Sequence, residues 1–308
     1  MTDNGRQAII EANVLGGAEV LTILDVIREH ADSFSAKQRK LAQYIEANPQ
    51  QAAFLTSARL AEAAGVSNPT VIRFAAALGY KGYPQMQQHL QALVQQRLSV
   101  LDRAHMDRSS SVKNGITDVL AREKENLERC MEQLDFAAAE EAVSRIVKSS
   151  TLLVCGMQAS EGIAAYAAYT FSKILPCVCS LKRWDIQTVR LLDSCGQDAV
   201  ALFLYRSRYP SATRQMMEAC RERGIPIILI TDSLYAPGAS LADLLLPLPV
   251  RQFSFVDLQA SSVSMINLLA HSAVSLYPEE TEDRLRAYDR FTEENGVFLN
   301  NITEKTPI

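Results

Sequence analysis

Apolar residues recur at helical spacing through the first third of the chain. They form the sets Val20, Ile23, Leu24 and Ile27; Leu41, Tyr44 and Ile45; Leu60, Ala61 and Ala64; Val71, Phe74, Ala75 and Leu78; and Met86, Leu90, Leu93 and Val94. Each set predicts one helix with a buried face. Ser35 and Gln38 have capping-box spacing for the second helix, and Asn48-Pro49 closes it. A long helix is expected through Ile116, Leu120, Leu127, Met131 and Leu134, followed by one capped by Asp135. From Thr151 the pattern changes to short, nearly continuous apolar runs at 151–155, 177–181, 199–204, 226–231 and 244–248. Helical stretches at 160–174 and 211–223 lie between them, and another follows at 258–276. Buried strands alternating with helices predict a parallel sheet covered on both faces. The expected architecture is therefore an all-α domain joined to an α/β doubly wound parallel-sheet domain. We divide the chain into 19–98, a polar linker at 99–113 with a Ser-Ser-Ser run, 114–280, and a charged, largely helical tail at 281–308.

The stretch from Thr56 to Tyr83 has a more specific pattern. Thr56 or Ser57 can cap a short helix that stops at Gly65, a residue type that tolerates the left-handed conformation. Ser67 is placed to cap the next helix, and Pro69 sits in its first turn, where a missing N–H costs nothing. Val71, Phe74, Ala75 and Leu78 share one face of that helix, leaving Thr70 and Arg73 on the other near its N-terminal end. This is the layout of a helix-turn-helix, whose second helix enters the DNA major groove.

Charge supports a polyanionic partner for this module. Between Ala36 and Leu98 the basic residues Lys37, Arg39, Lys40, Arg59, Arg73, Lys81 and Arg97 face only Glu46 and Glu62, a local excess of +5 in a chain of net charge −4. The full 308 residues, 48% hydrophobic and 21% charged, exclude a disordered chain. No apolar run has the length of a membrane span and the first residues lack a secretory pattern, so a cytoplasmic protein is expected. The six cysteines are scattered through apolar segments and read as core thiols. Cys177 and Cys179 form the one close pair, and the four histidines supply no matching cluster. Neither a metal nor a cofactor is expected.

In open α/β sheets ligands bind at the carboxyl ends of the strands, where the strand order reverses. The first predicted strand ends in Cys155-Gly156-Met157-Gln158-Ala159-Ser160. Gly156 would let backbone approach an anion, and Ser160 adds a hydroxyl at a helix start. Neither a dinucleotide fingerprint nor a Walker loop is present. The third strand ends in Tyr205-Arg206-Ser207-Arg208-Tyr209-Pro210, where two arginines can clamp a phosphate or carboxylate. Ser254 precedes the last helix of the sheet domain.

These motifs in this order resemble the RpiR-type transcription regulators. The segment S-x-x-T-V-x-R-F-x-x-x-L-G-Y-x-G-Y, followed by a G-x-x-x-S sheet domain, carries the resemblance over about residues 20–280. It implies an N-terminal domain that binds operator DNA, with Lys37, Ser67, Asn68, Thr70, Arg73, Lys81 and Tyr83 as candidate contacts. It implies a flavodoxin-like SIS (sugar-isomerase-like) domain binding a small anionic metabolite, a phosphosugar or sugar acid. Gly156, Ser160, Arg206, Ser207, Arg208 and Ser254 are its candidate ligand residues. A homodimer or homotetramer is expected. The second loop departs from the family's S-x-S-G-x-T, with Tyr205, Arg208 and Pro210 replacing the first serine, the glycine and the threonine. The competing expectation is a sugar-phosphate isomerase, for which Glu161 and His271 are the candidate bases. A SIS-type dimerisation scaffold is a further alternative.

Overall fold

The computed structural model describes residues 22–97, 99, 101, 103–104, 112–196, 198–206, 208–234, 236–248, 250 and 255–299. Its N-terminal unit is helical: α1 (Ile23–Glu29), α2 (Ala36–Ala47), α3 (Pro49–Ala52), α4 (Ser57–Ala64), α5 (Asn68–Ala77) and α6 (Tyr83–Arg97). The caps follow from the sequence. Ser35 and Gln38 form the expected box at the start of α2, and the Thr56 hydroxyl accepts the Arg59 N–H at 3.3 Å. Gly65, at φ 62°, ends α4 in the left-handed conformation. The apolar faces meet in one core, in which Phe34 packs on Phe74 with ring centroids 5.0 Å apart. The sequence pattern did not reveal α3. Asn48-Pro49 does close α2, but Pro49 also opens this extra turn, as proline at a first helical position can.

Beyond this unit, α7 (Val112–Gln133) and α8 (Phe136–Lys148) lead into β1 (Thr151–Gly156). Then follow α9 (Glu161–Ser172), β2 (Val178–Leu181), α10 (Ile186–Ser194), β3 (Ala199–Leu204), α11 (Ser211–Glu222), β4 (Ile227–Thr231), β5 (Leu244–Pro247), α12 (Ala260–Leu276) and α13 (Pro278–Glu294). The Asp135 carboxylate caps α8 by accepting the Ala138 N–H at 3.0 Å. Helix α10 was not singled out in the sequence, although Ile186, Val189 and Leu192 stand at spacings of three and the Asp185 carboxylate caps it by accepting the Thr188 N–H at 2.9 Å.

All strands pair in parallel in the order β2-β1-β3-β4-β5. Alternate side chains enter two separate cores. Leu152, Val154, Leu202, Leu204, Ile228 and Ile230 pack against α8, α9 and α12, whereas Leu153, Cys155, Phe203, Ile227 and Leu229 pack against α10 and α11. The strand period of two thus explains why the central strands β1, β3 and β4 are apolar throughout: they have no solvent face.

Ile116, Leu120 and Met131 of α7 are exposed, Met131 at 75%, so the described residues leave this apolar helix face uncovered. Cys177 is also exposed rather than a core thiol; its sulfur lies 3.8 Å from that of Cys179 at the sheet edge. Among the described residues no cluster of His, Cys, Asp or Glu could hold a metal, and no helix is long and apolar enough to cross a membrane.

Candidate functional site

The turn between α4 and α5 is held from outside and below. Lys40 of α2 donates to the Gly65 carbonyl at 3.4 Å, and Tyr83 of α6 donates its hydroxyl to the Leu55 carbonyl at 2.6 Å. Gln87 and Gln91 of α6 bond the carbonyls of Ala53 and Leu55 as well. These contacts fix where α4 begins and hence the angle at which α5 is presented.

Lys37, Ser67, Asn68, Arg73 and Lys81 are all exposed on this unit. The other two candidate contacts lie elsewhere. Thr70 is buried at 5%, and its hydroxyl pairs with that of Ser67 at 2.8 Å, so Ser67 makes no side-chain cap to the backbone of α5. Tyr83 is buried too, its ring in the helical core and its hydroxyl on Leu55, because an aromatic residue in the first turn of α6 falls on that helix's inner face. Sequence reasoning passed over Ile72, which is 49% exposed between the buried Val71 and the exposed Arg73. The signal was available: Ile72 is an apolar residue outside the Val71–Phe74–Ala75 face. Arg39 is exposed too, and donates from Nε and Nη2 to the Phe34 carbonyl at 3.3 and 3.1 Å.

The second candidate site lies on the sheet. After β1 the chain turns into α9 on one face, and after β3 into α11 on the other. Strands β1 and β3 are neighbours, so their carboxyl ends form the topological switch point. A cavity of about 490 Å³ opens there, walled by Met157–Ser160, Arg206, Arg208, Pro210–Ala212, Asp232, Val256–Gln259 and Arg103. Ser160, Arg206 and Arg208 are therefore brought together. Ser207 and Ser254 lie outside the described residues.

Each wall residue has a local cause. Gln158 (φ 55°) turns the chain sharply after β1 so that Ser160 is buried at the start of α9. Gly156 does not line the cavity. A Cβ there would stand 2.6 Å from the Ser160 carbonyl oxygen and 3.0 Å from the Ala164 Cβ, so this glycine serves loop-to-helix packing rather than an approach to an anion. Arg206 reaches inward: its Nη1 donates to the Leu258 carbonyl at 2.9 Å, Gln259 Oε1 at 2.9 Å and Ser262 Oγ at 2.8 Å, while its Nε is buried without a partner. Arg208 is exposed at the rim with φ 71°, a conformation that favours glycine. Tyr209 donates its hydroxyl to Asp232 Oδ1 at 2.8 Å, and burial next to that carboxylate pushes the phenol well above its usual range. The tyrosine therefore stays a neutral donor.

An ion pair in the cavity wall was not foreseen. Arg103, in the segment assigned as linker, has a side chain only 6% exposed and donates from Nη1 to Asp257 Oδ1 at 3.0 Å. Sequence offered no signal for this pairing, since 154 residues separate the two. The wall thus combines three guanidinium groups with two carboxylates and two serines. That chemistry suits capture of a small anion. Glu161 and His271, the candidate bases of an isomerase, are exposed and neither lines the cavity.

Comparison with known proteins agrees with both halves of the fold. Residues 21–97 match the helix-turn-helix domain of the rpiR family, and residues 145–272 match the SIS domain. The transcriptional regulator HexR of Pseudomonas aeruginosa is 28% identical over 234 residues, covering 75% of this chain and 80% of that protein. The sugar isomerase domain of an RpiR transcription factor from Sphaerobacter thermophilus superposes with a TM-score of 0.53 at 24% identity, covering 56% of this chain and 97% of that one. NanR of Vibrio vulnificus, solved with ManNAc-6P, superposes with a TM-score of 0.53 at 20% identity, covering 88% and 98%. With both domains matched in the same order, this chain belongs to the RpiR family of transcriptional regulators, a DNA-binding helix-turn-helix joined to a SIS domain.

Proposed function

We propose that this regulator senses a small anionic metabolite, a phosphosugar or sugar acid, bound in the switch-point cavity. The observation that carries the reading is the convergence of Ser160, Arg206 and Arg208 on one space of about 490 Å³. Buried or half-buried guanidinium is costly without an anionic partner, and a phosphate or carboxylate supplies one. That NanR was solved with ManNAc-6P supports the phosphosugar class. The exposed set Lys37, Ser67, Asn68, Arg73 and Lys81 contacts operator DNA, with Ile72 placed for apolar contact with a thymine methyl group. The uncovered Ile116, Leu120 and Met131 face of α7 supports pairing with a second copy, which doubles the DNA contact. Effector and DNA are coupled only if the effector binds the DNA-competent and incompetent states unequally.

The test is calorimetry on the full-length protein with inorganic phosphate, glucose 6-phosphate, ManNAc-6P, gluconate and malonate, repeated on Ser160→Ala. Binding of one of these, weakened in the variant, is expected. No binding by any of them, or turnover of a sugar phosphate, would overturn the reading.

A further inference from the structure

We propose that Arg103 is an effector contact supplied by the segment between the two domains, and that an anion in the cavity competes with Asp257 for its guanidinium. This deepens the sensing role proposed above and rests on it. Arg103 lies six residues after α6 ends at Arg97 and nine before α7 begins at Val112. It belongs to neither the helical core nor the sheet, yet its guanidinium forms part of the cavity wall.

Three observations point to a ligand rather than to a simple tether. First, the Arg103 side chain is 6% exposed, and its Nε is buried with no acceptor. A guanidinium has five N–H donors, and a desolvated one left partly unmatched is an unfavourable arrangement that an incoming anion can complete. Second, its carboxylate partner Asp257 remains 34% exposed, so water can replace Arg103 there at little cost. The ion pair is therefore easily exchanged on the acid side and poorly solvated on the basic side. Third, Arg103 lines the same cavity as Ser160, Arg206 and Arg208.

The consequence is a physical route between the sites. An effector that draws on Arg103 makes its own affinity depend on the path of the connecting segment. By reciprocity, any DNA-bound arrangement that changes this path changes effector affinity by the same factor.

The experiment uses the full-length protein and the same five anions, with Arg103→Met, Arg103→Lys and Asp257→Asn. Arg103→Met should weaken the anion that binds wild type by about tenfold or more, since a charge-assisted hydrogen bond is lost. Arg103→Lys should recover part of the loss. Asp257→Asn should tighten binding severalfold, because it removes the competitor. A purely structural ion pair differs at Asp257: it predicts that Asp257→Asn weakens binding as Arg103→Met does, and that result overturns the proposal. So does a change of less than twofold in every variant. Asp257→Asn keeps the test decisive if Arg103→Met fails to fold. Failure of wild type to bind any anion would instead remove the sensing role itself.

Discussion

A side-chain carbon on Gly156 would stand 2.6 Å from the carbonyl oxygen of Ser160. The obstacle is backbone, which cannot swing aside, and Ala164 stands behind it at 3.0 Å. Gly156→Ala should therefore destabilise the sheet domain by about 1–3 kcal/mol. It should also weaken effector binding, because the loop must shift where Ser160 enters the cavity. Denaturant unfolding together with calorimetry checks both. Unchanged stability would mean the loop yields more readily than its packing indicates.

Arg208 makes the reverse prediction. It adopts φ 71°, and a residue with a Cβ costs roughly 1–2 kcal/mol in the left-handed region. The resemblance to the family places a glycine here. Arg208→Gly should raise the melting temperature while weakening anion binding. A gain in stability with no loss of binding would remove Arg208 from the effector site.

On the helical domain, Arg73 and Tyr83 should separate cleanly. Arg73→Ala should weaken operator binding, and a phosphate role would reduce the slope of log K against log salt by about one. Tyr83→Phe removes the bond to the Leu55 carbonyl and should cost about 1 kcal/mol of stability while leaving the salt slope unchanged. Electrophoretic mobility shifts across a salt series distinguish the two.

His89 predicts acid sensitivity of the same domain. Burial lowers its pKa from 6.5 to about 4, and its Nδ1 lies 2.6 Å from the Tyr80 hydroxyl. Between those values the unfolded chain holds a proton that the folded chain does not, so stability falls as pH drops below about 6.5, and the loss is complete near 4. Going from pH 7 to pH 5 should cost roughly 2 kcal/mol. Urea unfolding at the two pH values, with His89→Gln as control, measures it. Equal losses in the two proteins would assign the effect to other groups.

Much of this molecule was legible in the chain alone. The strand boundaries, the caps at Ser35, Thr56 and Asp135, the left-handed Gly65 and the buried faces of the helical domain are local properties. Spacing, side-chain volume and the conformations open to glycine and proline determine them within a few residues. The position of the cavity followed as well, since parallel strands joined by helices on opposite faces leave a crevice at one predictable point.

Tertiary structure decided which residues meet there. Arg103 joined the cavity wall and Gly156 left it; Thr70 and Tyr83 turned inward, and Ile72 turned out. Arg206 was claimed by Leu258, Gln259 and Ser262, more than fifty residues away. Apolar spacing on a helix is the same whether its own chain covers the face or leaves it open, and only the fold showed Ile116, Leu120 and Met131 of α7 exposed. A sequence states what a side chain can bond to. Only packing decides which partner is within 3 Å and which groups remain free for a ligand, because those distances are set by distant segments brought together.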